Sequence, residues 1–136
     1  MILALLSGVL ILNSCEEDPL DLFADDLRDG ITGDWKVDED SELFDKKDLA
    51  SIYNVTITKD PLDSTAVYVW NFYQLKERVK IILDGPDLTI PVQVIDNFTI
   101  QNGYGEIADD FKKITLYYYV LFAGERDVVE AVYTRP

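Results

Sequence analysis

Histidine is absent from this 136-residue chain, and cysteine occurs only once. Without histidine, the Ser-His-Asp triad, the Cys-His dyad and every zinc site with a histidine ligand are excluded. A single cysteine cannot form a disulfide within the chain. The sequence therefore predicts a non-enzymatic protein without a cofactor.

Basic residues are also scarce. The chain has 12 Lys and Arg against 26 Asp and Glu, which gives a formal net charge of −14. Nucleic acids and anionic lipid surfaces attract clustered Lys and Arg, so this balance argues against binding to either of them. The length fits one domain with short appendages.

No apolar run is long enough to span a membrane as a helix, which takes about 20 residues. Residues 1–12 form the longest such run, and its length is typical of the hydrophobic region of a signal peptide. The segment Leu12-Asn13-Ser14-Cys15 then precedes three acidic residues. This junction resembles the bacterial lipobox, which implies cleavage before Cys15 and attachment of acyl chains such as palmitate. Several chains together give a firm membrane anchor.

The acidic residues after Cys15 resemble the export signal that directs Bacteroidetes lipoproteins to the cell surface. We therefore expect a protein anchored in the bacterial outer membrane and facing outward, with the periplasmic face as the alternative. The predicted organisation is a signal peptide over residues 1–14, an acidic tether with a short helix over 15–32, and a β domain over 33–136. The helix is predicted from one apolar stripe formed by Leu20, Phe23, Ala24 and Leu27.

After residue 33 the sequence is rich in Val, Ile, Thr, Tyr and Phe and is divided by turn residues, which is typical of short strands. The predicted strands cover residues 35–37, 52–58, 66–73, 78–83, 88–94, 98–101 with a possible extension to 107, 114–122 and 128–134. No segment of helical length separates them, so the fold class is all-β. We predict an antiparallel meander of about eight strands that closes into a barrel, with a β-sandwich as the alternative.

Gly33 and Trp35 form a Gly-x-Trp motif at the start of the first predicted strand. This resembles the motif of lipocalins and other calycins, in which the Trp closes one end of the barrel beneath an Arg from the end of the domain. The resemblance implies that Arg126 or Arg135 takes that place, and it leaves the choice open. The domain as a whole is similar to small Bacteroidetes lipoproteins with lipocalin-like domains, as seen in residues 53–61, 71–73, 88–93 and 131–134.

Aromatic residues cluster in two of the predicted strands. Because they are the best candidates for an aromatic ligand pocket, we predict contacts from Tyr68, Trp70, Phe72, Tyr117 and Tyr119; the alternative is that they fill the core. The main hypothesis is thus a barrel that binds a small apolar ligand or a glycan. Both faces of residues 66–73 are apolar, which supports the alternative of an outer face that docks onto another envelope protein.

Two further segments carry residues that occur in metal sites or modification sites. The acidic run 38–42 lacks the spacing and central glycine of an EF-hand, so we expect a solvated loop and no metal site. The sequence Asp63-Ser64-Thr65 resembles the Bacteroidetes O-glycosylation motif, which implies a possible modification at Ser64.

Overall fold

The computed structural model describes residues 26–43 and 52–136. Cys15, the predicted signal peptide and most of the predicted N-terminal helix lie outside these residues. At the end of that predicted helix, Leu27–Gly30 forms one 3-10 turn. Within the described part of the chain, no helix is long and apolar enough to cross a membrane.

The described residues form nine strands and a second 3-10 turn, Phe72–Gln74, after the third of them. The strands are β1 (Gly33–Ser41), β2 (Ile52–Lys59), β3 (Ala66–Trp70), β4 (Arg78–Asp84), β5 (Asp87–Ile90), β6 (Gln93–Ile95), β7 (Phe98–Ile107), β8 (Lys113–Phe122) and β9 (Glu125–Thr134).

All neighbouring strands are antiparallel, in the order β5-β4-β3-β2-β1-β9-β8-β7-β6. A further pairing of β5 with β7 closes eight strands into a barrel, and β6 is an additional strand on β7. The predicted lipocalin-like barrel is therefore confirmed, and the β-sandwich is not the fold.

Two predicted strands differ from the observed ones for backbone reasons. The third strand ends at Trp70 because Asn71 and Tyr73 adopt left-handed conformations, with φ angles of 70° and 55°. The predicted strand 88–94 is divided into β5 and β6 at Pro91, which has no N–H to donate to a ladder. The first strand is longer than predicted, since β1 continues through the acidic residues to Ser41.

Tight turns and glycines allow the barrel to close. The hairpin between β6 and β7 turns at Asp96 and Asn97, whose φ angles of 50° and 74° are those of a type I′ turn. Strand β7 contains a bulge between Gln101 and Tyr104. A side chain at Gly105 would place its Cβ 2.2 Å from a backbone oxygen of β8, so only glycine permits this close approach.

The closed end of the barrel is built around Trp35, whose side chain is fully buried. The indole Nε1 of Trp35 donates to the carbonyl of Ile31 at 2.8 Å, and the guanidinium of Arg135 lies 4.0 Å from the ring centroid. Arg135 also donates to the carbonyls of Gly30, Thr32 and Asp34. Of the two arginines that the sequence left open, Arg135 is thus the one over Trp35.

A second arginine fastens a loop to the same end. Arg28 is buried and donates to the carbonyls of Asp60, Asp63 and Ala66 at 3.0 to 3.3 Å. Its guanidinium also pairs with Asp26, and this contact lowers the pKa of the Asp26 carboxyl to about 2. The charge of Arg28 is therefore neutralised at the closed end.

Alternate residues of the barrel strands fill the interior. Tyr53, Val55 and Ile57 of β2 point inward, as their period-2 pattern predicts. Among the apolar residues of the closed half, including Ile57 and Tyr133, the remaining cavity measures only about 10 Å³. This half of the interior is thus packed and has no room for a ligand.

Candidate functional site

The aromatic residues that the sequence proposed as ligand contacts do not share one pocket. Phe72 is fully buried in the core. Tyr68 and Trp70 lie on the outer face of β3, because the valines between them, Val67 and Val69, occupy the inner face. Phe72 therefore does not share a face with Tyr68 and Trp70, since the chain turns inward after β3 ends.

On β8, Tyr117 and Tyr119 also lie on the outer face, while Tyr118 points into the core. Tyr117 stacks on Tyr104 of β7, with ring centroids 5.1 Å apart, and the guanidinium of Arg126 lies 4.7 Å from the ring centroid of Tyr119. The three outward-facing tyrosines line a surface groove of about 780 Å³, which we call the outer groove. Its other lining residues include Asp40, Glu42, Val128 and Glu130.

The remaining sequence candidates are placed as follows. Ser64 is exposed in the turn between β2 and β3, beside Asp63, whose carboxylate accepts from the backbone N–H of Thr65 at 2.9 Å.

The acidic run 38–42 is not a loop, since most of it belongs to β1. Its side chains alternate, with Glu39 and Ser41 inside the barrel and the other three outside. Over residues 26–43 and 52–136, no cluster of His, Cys, Asp or Glu suits a metal ion.

Sequence reasoning missed two carboxylates inside the barrel. Asp127 of β9 is 1% exposed and Glu39 of β1 is 7% exposed. The Asp127 carboxylate accepts from the hydroxyl of Ser41, from the hydroxyl of Tyr73 at 2.5 Å and from the backbone N–H of Leu43 at 3.0 Å. These bonds hold Asp127 at the end of the barrel opposite Trp35.

Glu39 lies deeper in the barrel, among tyrosines. Its Oε1 accepts from the hydroxyl of Tyr53 at 2.5 Å and from that of Tyr118 at 3.3 Å. Burial raises the pKa of the Glu39 carboxyl to about 7, with a smaller contribution from the charge of Asp127. Burial also raises the pKa values of Tyr53 and Tyr118, so both remain protonated donors. The hydroxyl of Tyr133 is buried and has no hydrogen-bond partner among the residues that the structure describes.

Above these carboxylates the barrel opens into a pocket of about 280 Å³, which we call the mouth pocket. It lies where β1 and β8 end and where β7 and β9 begin. Phe98 and Phe122 form one wall, with their rings stacked at a centroid distance of 4.4 Å. The lining residues are Leu43, Tyr73, Phe98, Val120, Phe122, Glu125 and Asp127.

Among the described residues that line the mouth pocket, Glu125 and Asp127 are acidic and none is Lys or Arg. No salt bridge among the described residues joins Asp127 or Glu39 to a cation. The pocket thus combines apolar walls with a carboxylate that the hydrogen bonds of three neighbours fix in position. This arrangement can orient a small ligand that carries one polar or charged group.

A sequence signal for both carboxylates does exist. Glu39 follows Trp35 and Val37 at a spacing of two, and Asp127 precedes Val129 and Ala131 at the same spacing. Inward-facing residues of a strand follow this period, so each carboxylate belongs to an inward-facing series. The signal was overlooked because acidic residues are usually exposed.

Comparison of the chain with models of known protein families gives no match. None of the curated proteins is significantly similar to it either. The features that bear on function are therefore the barrel, the mouth pocket and the outer groove.

Proposed function

We propose that this chain is a lipid-anchored, non-enzymatic binding protein of the bacterial cell envelope, and that it holds a small ligand in the mouth pocket. The anchor would be the acylated Cys15, and the acidic residues after it favour the outer face of the outer membrane, with the periplasmic face as the alternative. The barrel would act as a rigid scaffold that presents the pocket to the surroundings.

The observation that carries this proposal is the lining of the mouth pocket. Leu43, Phe98, Val120 and Phe122 supply apolar walls, and Tyr73 and Asp127 supply polar groups at its base. Ligand sites are commonly concave and apolar with a few fixed polar groups. The volume of about 280 Å³ lies just below the range of about 300–1,000 Å³ typical of drug-sized ligands. We therefore favour a ligand with a single ring or a short chain over an extended glycan.

The absence of histidine supports a binding role over catalysis. Hydrogen bonds also hold the two interior carboxylates in fixed positions, which suits binding better than proton transfer. Three donors hold Asp127, and two tyrosine hydroxyls hold Glu39. A general acid or base needs an exchangeable proton within reach of a substrate, and Glu39 does not line the mouth pocket.

The binding site can be tested by titrating the full chain with 2-phenylethanol and following backbone amide shifts by NMR. We expect the largest changes at Leu43, Phe98 and Phe122. Val120→Phe should fill the pocket and abolish these changes, whereas Val128→Phe makes the same substitution on the outer face and should preserve them. Because added volume in a core costs about 1–3 kcal/mol, thermal melting must show that both variants are folded. Shifts confined to Tyr104 and Tyr117 would contradict the proposal.

The anchor can be tested separately by mass spectrometry of the native protein. We expect an N-terminus at Cys15 with a thioether-linked diacylglycerol, and a Cys15→Ser variant that retains residues 1–14 and fractionates away from the membrane. A native chain that keeps residues 1–14 without fatty acid would contradict the proposed location. It would leave the pocket proposal unaffected.

A second candidate function is favoured by the outer groove. Its tyrosines and its acidic residues Asp40, Glu42 and Glu130 would suit a basic segment of another envelope protein. Tyr104 is 59% exposed although its ring stacks on Tyr117, so much of a large aromatic side chain faces solvent in the groove. The paired variants above separate the two candidates, since Val128→Phe would impair docking in the outer groove and Val120→Phe would not.

A further inference from the structure

Among the described residues, no basic side chain neutralises the acidic groups inside the barrel mouth. The one buried basic residue of the described chain, Arg28, lies at the closed end and is bound by Asp26. The hydrogen-bond donors to Asp127 and Glu39 are hydroxyl groups and one backbone N–H, all of them neutral. The charge on this side of the barrel therefore has no counter-charge within the described residues.

A buried carboxylate without a cation is costly, and proteins usually pair it or bind a cation there. A carboxylate has about four acceptor sites on its two oxygens. Asp127 uses three of them, two on Oδ2 and one on Oδ1. One acceptor site thus remains on Oδ1, at the base of a pocket whose other walls are apolar.

We propose that the mouth pocket is an amine site, in which the ammonium group of a small ligand binds Asp127 and its apolar part packs against Phe98 and Phe122. This inference rests on the proposed ligand-binding function and names the class of the ligand. Glu125 at the rim of the pocket adds a second negative charge that favours a cation. The aromatic rings of the pocket wall would also attract a cation that binds within about 6 Å of them.

A metal ion suits the same pocket poorly. Calcium takes six to eight oxygen ligands, whereas the mouth pocket offers oxygen atoms from Tyr73, Glu125 and Asp127 and otherwise apolar side chains. An anionic ligand would be repelled by both carboxylates. An amine with a hydrophobic group matches both the negative charge of the mouth pocket and its apolar walls.

The test compares three probes of similar shape on the full chain by isothermal titration calorimetry at neutral pH. These are 2-phenylethylamine, which is protonated, 2-phenylethanol, which is neutral, and 3-phenylpropanoate, which is an anion. We expect the amine to bind at least about tenfold more tightly than the alcohol, because charge-assisted hydrogen bonds are about twice as strong as neutral ones. The anion should show no binding.

Asp127→Asn removes the charge with little change of shape, and it should lower the preference for the amine over the alcohol to roughly threefold or less. Glu106→Gln removes an exposed acid of β7 that lines neither the mouth pocket nor the outer groove, and it should keep the full preference. If Asp127→Asn does not fold, the relative affinities of the three probes for the unmodified chain still test whether the mouth pocket prefers an amine.

The outcomes separate the two proposals. Suppose that the amine and the alcohol bind with equal affinity and that the NMR amide shifts change at Phe98 and Phe122. This result would overturn the amine site and leave the mouth pocket as a binding site. An unchanged preference in Asp127→Asn would also overturn it. If none of the three probes binds, both proposals fail.

Discussion

Replacing Glu39 by glutamine should stabilise the protein at neutral pH and have little effect in acid. The folded-state pKa of Glu39 is about 7, against 4.5 for the free side chain. Below pH 4.5 the carboxyl is protonated in both the folded and the unfolded chain, and it causes no penalty. Between pH 4.5 and 7 the unfolded chain loses the proton while the folded chain keeps it, so the free energy of unfolding falls as the pH rises.

The difference of 2.5 units corresponds to about 3 kcal/mol at about 1.36 kcal/mol per unit, and this penalty is complete above pH 7. We expect the free energy of unfolding of Glu39→Gln, relative to the unmodified chain, to rise by about 3 kcal/mol between pH 4.5 and 7.5. Urea unfolding at several pH values measures it. Glu42→Gln, which changes an exposed acid next to the same strand, is the control. A difference for Glu39→Gln that does not change with pH would refute the reasoning.

Two further predictions concern the barrel frame, and urea unfolding measures both. Arg135→Ala should cost about 1–2 kcal/mol, because it uncovers the ring of Trp35 and removes hydrogen bonds to three carbonyls. Arg126→Ala at the other end should cost less than about 0.5 kcal/mol, and equal losses would contradict the assigned roles. Gly105→Ala should cost about 1–3 kcal/mol because the new methyl group would lie 2.2 Å from a backbone oxygen. The exposed neighbour change Glu106→Ala should be nearly neutral, and a neutral Gly105→Ala would show that β7 and β8 can separate freely.

The barrel could be predicted because its signals are local. Period-2 alternation places Tyr53, Val55 and Ile57 on one face, and turn residues such as Asp96 and Asn97 mark where the chain reverses. Short antiparallel strands joined by such turns have few topologies available, and closure removes the exposed edges.

The placement of the aromatic residues could not be predicted, because alternation does not decide between two apolar faces. On β3 the interior takes Val67 and Val69, while Tyr68 and Trp70 lie outside, where the guanidinium of Arg78 covers the Tyr68 ring at 4.0 Å. Which face enters a barrel depends on the volume left by the other strands. That volume is a property of the assembled fold and not of a single strand.

The amine site and the buried Glu39 together lead to a last prediction. The charge of Asp127 helps to raise the pKa of Glu39, so an ammonium bound at Asp127 should offset that charge and lower the Glu39 pKa below about 7. Burial, which is the larger cause, would remain. Because linkage is reciprocal, binding of 2-phenylethylamine near pH 7 should release a fraction of a proton from the chain.

Calorimetry in buffers of different ionisation enthalpy measures this release. The slope of the observed binding enthalpy against the ionisation enthalpy of the buffer gives the number of protons released. We expect a slope for the unmodified chain and for Glu42→Gln, and none for Glu39→Gln, which has no proton to release at this position. The other titratable groups near Glu39, besides Asp127, are the hydroxyls of Tyr53, Tyr73, Tyr118 and Tyr133, whose raised pKa values keep them protonated at pH 7. A slope that persists in Glu39→Gln would assign the proton elsewhere. A zero slope in the unmodified chain would mean that the ligand and Glu39 do not interact, which would place the ammonium away from Asp127.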